Sequence, residues 1–287
     1  MSSRRTVLVT GAGGQVGREA SVRFEAAGWD VVAHDRASLD VTSRADVRAA
    51  VEAASPDAVV NLAAWNAVDL AETEVDAAYA VNAMAVRHLV DACRRVDARL
   101  CHVSTDYVFD GTKVGAYVEW DRTNPQSAYG RSKEAGEQEA GPLDLVVRTS
   151  WVCGFHGANL VKTVLKLAAE PDRQLAFVTD QVGCPTMAGD LAATLVELVS
   201  GEHHGTFHAT NGGAVSWYEF VREILGFAGH DPGRVRPIAT HELDPPRPAP
   251  RPANSELDGA ALRLQGLPPL RHHAEALEEL VAALVAT

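Results

Sequence analysis

Short runs of valine, leucine and alanine recur along the first half of the chain, each followed by a longer stretch in which apolar residues return every three or four positions. The short runs fall at 7–10, 30–34, 58–63, 100–104 and 143–148, the longer ones at 15–27, 44–54 and 75–96. A strand that is apolar at consecutive positions is covered on both faces, and helices placed between such strands supply the cover. The pattern therefore predicts an α/β fold with a doubly wound, Rossmann-like parallel sheet.

Beyond residue 149 the rhythm loosens. Helices are predicted at 159–169, 189–199, 217–229 and 274–285, with short strands near 175–178 and 206–209. We read 1–149 as an NAD(P)-binding domain and 150–287 as mainly a smaller C-terminal α/β substrate lobe, across a soft boundary where chain can be exchanged between lobes. The proline-rich stretch 244–252 (D-P-P-R-P-A-P-R-P) reads equally as a linker or as a stiff loop bordering a site. In the last helix Leu277, Leu280, Val281 and Leu284 form an i, i+3, i+4, i+7 stripe that would pack on the second lobe.

With 287 residues, 46% of them apolar, the chain can bury a full core. A formal charge of −12 argues against a general affinity for nucleic acid or an anionic membrane, so an anionic ligand must be met by locally placed Arg, Lys or backbone N–H groups. Cys93, Cys101, Cys153 and Cys184 show no C-x-x-C spacing and read as thiols. No apolar run reaches ~18 residues without a charge, and the first five residues lead straight into the first strand. The expectation is a cytoplasmic protein with a small-molecule partner.

Candidate chemistry begins with T-G-A-G-G-Q-V-G-R-E, where Gly11, Gly14 and Gly17 follow a strand and Gln15 and Val16 open a helix. Missing side chains let backbone approach a pyrophosphate, and the helix N-terminus offers free N–H groups. Asp35 and Arg36 follow the second strand. The acid would bind an adenosine ribose and favours NADH; the guanidinium would meet a 2′-phosphate and favours NADPH, so the choice stays open, and Asp35 also reads as a turn cap. Tyr129 and Lys133, four apart in Y-G-R-S-K, share a helix face on which an ammonium can lower a phenol's pKa. Thr105 would add a hydroxyl for a carbonyl oxygen. A Y-x-x-x-K pair alone is more often a solvated face; together with the glycine turn and S-T-D-Y-V-F at 104–109 it predicts hydride transfer to a carbonyl whose oxygen Tyr129 protonates.

The segments G-A-G-G-Q-V-G-R-E (11–19), N-L-A-A-W-N-A-V-D-L-A-E (61–72), S-T-D-Y-V-F-D-G (104–111), A-Y-G-R-S-K-E-A-G-E (128–137), R-T-S-W-V-C-G (148–154), D-Q-V-G-C-P-T (180–186), S-W-Y-E-F (216–220) and R-P-A-N-S-E-L-D (251–258) occur in that order. In these the chain resembles the dTDP-4-dehydrorhamnose reductases, within the extended short-chain dehydrogenase/reductases. The resemblance implies a catalytic set of Thr105, Tyr129 and Lys133, and a cofactor groove lined by Ala63, Ala64 and Trp65, with Asn82 supporting the proton relay. It places the sugar pocket at Val68, Asp69, Thr105, Asp106, Trp151 and Asn159. Trp151 reads as an apolar wall or as a buried aromatic between lobes. Arg251, with Arg247 as a weaker neighbour, would meet the diphosphate, or be a solvated loop residue. Gln181, Pro185 and Thr186 would shape a loop at the site.

The implied activity is reduction by NADPH or NADH of the 4-keto group of a dTDP-4-dehydro-6-deoxyhexose, with dTDP-4-dehydro-L-rhamnose foremost, in a monomer or homodimer. The alternatives are a 4-ketoreductase of another dTDP-deoxysugar and a non-catalytic nucleotide-binding regulatory subunit. Thr105-Asp106-Tyr107 lacks the glutamate of the Thr-Asp-Glu found in nucleotide-sugar dehydratases. Two departures stand out: Cys153 where the family commonly has tyrosine, and Asn66 where it has threonine. No metal is expected, since His203-His204 and His272-His273 lack a ligand spacing and adjacent side chains should point apart.

Overall fold

The computed structural model describes residues 4–170 and 173–286, so residues 1–3 of the N-terminal reading lie outside the described residues. Strands β1 (Thr6–Thr10), β2 (Asp30–His34), β3 (Ala58–Asn61), β4 (Arg99–Thr105) and β5 (Leu145–Thr149) pair in parallel, and a later strand, Gly205–His208, adds itself to β5. The resulting six-stranded order is Gly205–His208, β5, β4, β3, β1, β2. Helices α1 (Gln15–Ala26), α2 (Arg44–Ala54), α3 (Val75–Tyr79), α4 (Ala85–Val96), α5 (Ala128–Glu137), α6 (Leu160–Ala168), α7 (Ala188–Ser200) and α8 (Trp217–Phe227) follow in chain order, and His273–Val285 closes the chain.

Alternation along β1 explains the double winding. Val7 and Val9 point into a cluster with Phe24 of α1 and Leu191, Leu195 and Leu198 of α7. Leu8 points the other way, into a cluster with Val59, with Val47 and Val51 of α2, and with Val86 and Leu89 of α4. Side chains of period two thus require helices on both faces, as the apolar runs predicted.

One strand read as part of the second lobe belongs to this sheet instead. The 206–209 strand is observed as Gly205–His208, and its Phe207 shares a cluster with Leu145, Val147 and α7. The physical reason is the free edge of β5, whose unpaired backbone groups it satisfies. What remains of the C-terminal half has its own core, in which Val161 and Val164 of α6, Phe220 and Ile224 of α8, and Leu277 and Val281 of the last helix meet. Strands Leu175–Val178 and Val235–Ile238 pair in parallel at its side.

The predicted helix 75–96 is interrupted by a π-helical turn, Ala80–Met84, between α3 and α4. Such turns insert one extra residue and are frequent at functional sites; here the turn carries buried Asn82. Because β2 lies on one side of β1 and β3 on the other, the connections after β1 and β3 diverge at the carboxyl edge of the sheet, the position where open α/β sheets bind ligands.

Candidate active site

The turn after β1 is built by close approach. Gly11 has φ +66°, and a Cβ there would lie 2.6 Å from the Leu62 carbonyl carbon; a Cβ on Gly17 would lie 2.3 Å from the Gly11 oxygen. Gly14 is the N-cap of α1 and gives it no side-chain cap, so the first N–H groups of the helix, from Gln15 and Val16 onward, remain for an outside acceptor. A glycine cradle under an uncapped twelve-residue helix fits the pyrophosphate of a dinucleotide.

Asp35 follows β2 and faces Gly13, its Cβ lying 3.3 Å from where a Gly13 Cβ would stand. One carboxylate oxygen accepts from the N–H groups of Ala37 and Ser38, both at 3.0 Å, and from the Ser38 hydroxyl at 3.1 Å. The Ser38 hydroxyl bond, chief among these, holds Asp35 below the usual carboxylate range. Asp35 is therefore a turn cap that makes these bonds through a single oxygen. Arg36, beside it, is exposed.

After β3, Ala63, Ala64 and Trp65 form the opposite lip. The Ala63 N–H donates to Asn61 Oδ1 at 3.2 Å. Asn82 Oδ1 accepts the Trp65 N–H at 2.8 Å, while its Nδ2 donates to the Trp65 carbonyl and to Ser132 Oγ at 3.1 and 2.9 Å. Every polar atom of Asn82 is thus engaged in clamping this lip to α5, which makes it a positioning residue.

Ser127 caps α5 by accepting the Gly130 N–H at 3.0 Å, and so fixes the helix that carries Tyr129 and Lys133. The Tyr129 hydroxyl lies beside Thr105 and donates to Asn66 Oδ1 at 3.4 Å. Thr105, the last residue of β4, lies with its Oγ1 2.9 Å from Asp106 Oδ1. The three predicted catalytic residues are thus brought to one end of β4 and α5.

The expected electrostatics differ, however. Burial holds the Tyr129 phenol above its ordinary value, opposed by the Thr105 side chain. Lys133 Nζ donates to the Val103 carbonyl at 2.7 Å and lies 3.5 Å from His102 Nε2, and burial pushes its pKa down to about 8. Lys133 is not among the groups that shift the phenol, and burial is the largest influence on both.

Asp106 is buried, and burial pushes it up to about 6 against hydrogen bonds from Ser255 and Thr105. Its second oxygen has no partner among the described residues. Tyr107 sets its ring edge-on to Tyr129, centroids 5.5 Å apart, and its hydroxyl lies near Arg251. Arg251 in turn grips Asp69 with both arms, at 2.5 and 2.8 Å, and Arg247 stands 3.7 Å from the same carboxylate. Arg251 is therefore no solvated loop residue: the proline-rich stretch folds against the site, and two expected ligand contacts are paired with one another. Val68 packs beside Tyr129, Tyr107 and Trp65.

Trp151 takes φ +46° and stacks on Trp217, centroids 3.4 Å apart and planes 7° from parallel, with Gly183 against its edge. It is half-buried, so it is neither fully exposed wall nor core residue. Asn159 caps α6 through its oxygen, and its Nδ2 donates to Gly154 O at 2.7 Å and Gln15 Oε1 at 2.9 Å. Its amide ties the start of α6 to the start of α1. Gln181 donates to Thr240 Oγ1 at 2.9 Å. Tyr107, Ser255 and Trp217 join the site although no role was assigned to them; each sits inside a motif already noted. All four cysteines are buried thiols. His272 and His273 do not point apart: their rings lie 4.6 Å from one another, and His273 pairs with Glu223 at 2.9 Å.

A doubly wound parallel sheet with a dinucleotide cradle after β1 and a Thr/Tyr/Lys set at β4 and α5 defines a short-chain dehydrogenase/reductase. The family described as the RmlD substrate binding domain matches residues 5–286. The chain is 44% identical to a dTDP-4-dehydrorhamnose reductase of Streptomyces griseus, over 96% of this chain and 93% of that one. It is 41% identical to a dTDP-4-keto-6-deoxy-D-glucose reductase of Streptomyces niveus, over 95% of each. A crystal structure of dTDP-4-dehydrorhamnose reductase from Bacillus anthracis in complex with NADP superposes with a TM-score of 0.93 at 34% identity, covering 98% of this chain and 100% of that one. The chain belongs to the dTDP-4-dehydrorhamnose reductase family.

Proposed function

We propose that this protein uses NADPH or NADH to reduce the 4-keto group of a dTDP-4-dehydro-6-deoxyhexose, with dTDP-4-dehydro-L-rhamnose as the substrate and dTDP-L-rhamnose as the product. The observation that carries the reading is the buried Thr105–Tyr129 hydroxyl pair at the carboxyl end of β4, beside the uncapped N-terminus of α1. We assign the cofactor mainly to residues 1–149, the sugar mainly to residues after 150, and the enzyme to the cytoplasm as a monomer or homodimer.

The bound dinucleotide supplies the hydride. Gln15, Val16 and Gly17 hold its pyrophosphate through backbone N–H groups, and Asp35 and Arg36 hold the adenosine ribose end. Thr105 orients the substrate's carbonyl oxygen, and Tyr129 gives that oxygen its proton as the carbonyl carbon gains the hydride, so one hydride and one proton make the alcohol. A phenol held high by burial gives up its proton only to the strong base that forms as hydride arrives, which couples the two transfers. Lys133, on the same helix face, stabilises the phenolate and supplies its replacement proton. Arg251 and Arg247 meet the diphosphate, while Val68, Asp69, Asp106, Trp151 and Asn159 shape the sugar pocket.

A second reading, 4-keto reduction of another dTDP-6-deoxysugar, is favoured by the comparable similarity to the Streptomyces niveus reductase and by Asn66 standing beside the Tyr129 hydroxyl. The test is oxidation of NADPH, and separately NADH, with dTDP-4-dehydro-L-rhamnose, comparing wild type with Tyr129→Phe. Turnover that falls about 10²- to 10⁴-fold in the variant is expected for loss of a general acid. Absence of turnover with this sugar but not with other dTDP-4-keto sugars would favour the second reading.

A further inference from the structure

Behind Lys133 runs a row of buried polar side chains that the reaction outlined above does not use. Thr10 Oγ1 donates to Asn61 Oδ1 at 2.6 Å, and the Ala63 N–H donates to the same oxygen. A backbone N–H can only donate, so it identifies that atom as the amide oxygen and leaves Asn61 Nδ2 facing His102 Nδ1 at 3.0 Å. Nδ1 of His102 must therefore accept. A neutral imidazole that accepts at Nδ1 carries its proton on Nε2, and Nε2 looks at Lys133 Nζ, 3.5 Å away. His102 is fully buried, and Gly136 of α5 leaves it room: a Cβ there would stand 3.3 Å from Nε2.

An N–H aimed at an ammonium is repulsive, whereas the same N–H aimed at a neutral amine makes a hydrogen bond. We propose that Thr10 and Asn61 lock His102 as the Nε2–H tautomer, and that this N–H biases Lys133 toward its neutral amine, making His102 a positioning residue for the proton relay. The proposal rests on the reading that Lys133 serves Tyr129.

The remaining surroundings agree. Burial, and secondarily Lys133, hold His102 well below its ordinary value, so it does not become an imidazolium. Glu137, one turn along α5, pulls Lys133 the other way, but its carboxylate is gripped by Arg148 of β5 at 2.7, 3.0 and 3.1 Å. Tyr129 lies on Lys133's own helix, and β3 and the turn 80–84 present the uncharged amides of Asn61 and Asn82. A lysine that changes hands between amine and ammonium near working pH can pass on a proton; one that kept its ordinary affinity would hold it.

The first experiment is NMR of the unliganded full chain with isotope-labelled histidine. His102 is expected as the neutral Nε2–H tautomer at and below neutral pH. An Nδ1–H tautomer, or an imidazolium at neutral pH, overturns the proposal. The second is the pH dependence of kcat in wild type and His102→Gln, whose amide oxygen would accept from an ammonium. The alkaline limb should move up by about one pH unit with the cofactor KM unchanged. A limb that stays in place overturns the proposal, and His102→Asn repeats the test if the first variant does not fold. Lys133→Met separates this inference from the reading beneath it. Wild-type turnover in that variant removes Lys133 from catalysis whatever His102 does, while a dead Lys133→Met with an unmoved His102→Gln profile removes only the role given to His102.

Discussion

Replacing Gly17 with alanine tests whether the turn after β1 holds the cofactor. The new Cβ would stand 2.3 Å from the Gly11 oxygen, 2.6 Å from Ala12 Cα and 2.9 Å from the Ala12 carbonyl carbon, where ordinary contact begins at 3.4 Å. All three are backbone atoms, so no side chain can swing away, and the turn must retreat from the helix by about 1 Å. Overpacking of this kind costs about 1–3 kcal/mol, against roughly 1 kcal/mol returned by alanine's better helix propensity. The net loss of up to about 2 kcal/mol would lower Tm by a few degrees. Cofactor binding should suffer more, because the N–H groups that the proposed function gives to the pyrophosphate sit on the displaced segment. Losing one or two charge-assisted hydrogen bonds predicts NADPH affinity weaker on the order of 10- to 100-fold. Gly226→Ala in α8 is the control: its Cβ would meet nothing nearer than Pro232 Cγ at 3.8 Å, so it should leave NADPH binding alone and gain up to ~1 kcal/mol. Calorimetric titration with NADPH and thermal unfolding read both effects. Wild-type affinity in Gly17→Ala would refute the assignment of the cradle.

Arg251→Lys keeps the charge but loses the two-armed grip, and should raise the KM for the nucleotide sugar about tenfold with the cofactor KM unchanged; an unchanged sugar KM in steady-state kinetics would remove Arg251 from the diphosphate site. A Cβ on Gly183 would lie 2.6 Å from Trp151 Cε2 and 2.8 Å from Ser255 Oγ, so Gly183→Ala should push Trp151 off its stack and raise the sugar KM in steady-state kinetics; an unchanged sugar KM would place the stack outside the sugar pocket. His208 is buried, and burial together with Arg148 pushes it down to about 3. Its folded pKa lies below its unfolded one, so its contribution to stability is whole above about pH 6.5 and is lost as pH falls toward 3, at up to about 1.4 kcal/mol per pH unit. Denaturant unfolding between those limits should show that slope flattened in His208→Gln; an equal slope would place the acid sensitivity elsewhere.

Most of the fold was legible because a two-sided sheet writes itself into consecutive apolar positions, and β1 to β5 were each anticipated to within a few residues. What escaped was determined by partners remote in sequence. Nothing in G-T-F-H at 205–208 distinguishes a strand that completes the main sheet from one that builds a second lobe; the decision lies in the free edge of β5, about sixty residues earlier. The π-helical turn escaped for the same reason, since A-V-N-A-M reads as ordinary helix until Asn82 is seen clamping Trp65 and Ser132.

The site divides along the same line. Thr105, Tyr129 and Lys133 could be found because their chemistry demands unusual residue types at a fixed spacing, but their electrostatics could not, because desolvation is a property of the packed molecule. The diphosphate end makes the point most sharply. Asp69 and Arg251 were each assigned to the ligand, yet they lie 182 positions apart and satisfy one another, so neither group stands free. Arg247 shares the same carboxylate, whose pKa the Arg251 fork holds low. Two cations against one anion leave a single positive charge without leaving a half-buried arginine unpaired. On the proposed function, a diphosphate would bind there by an exchange of partners rather than the gain of one, and discrimination would then rest on the sugar's fit against Tyr107, Tyr129 and the Trp151–Trp217 stack.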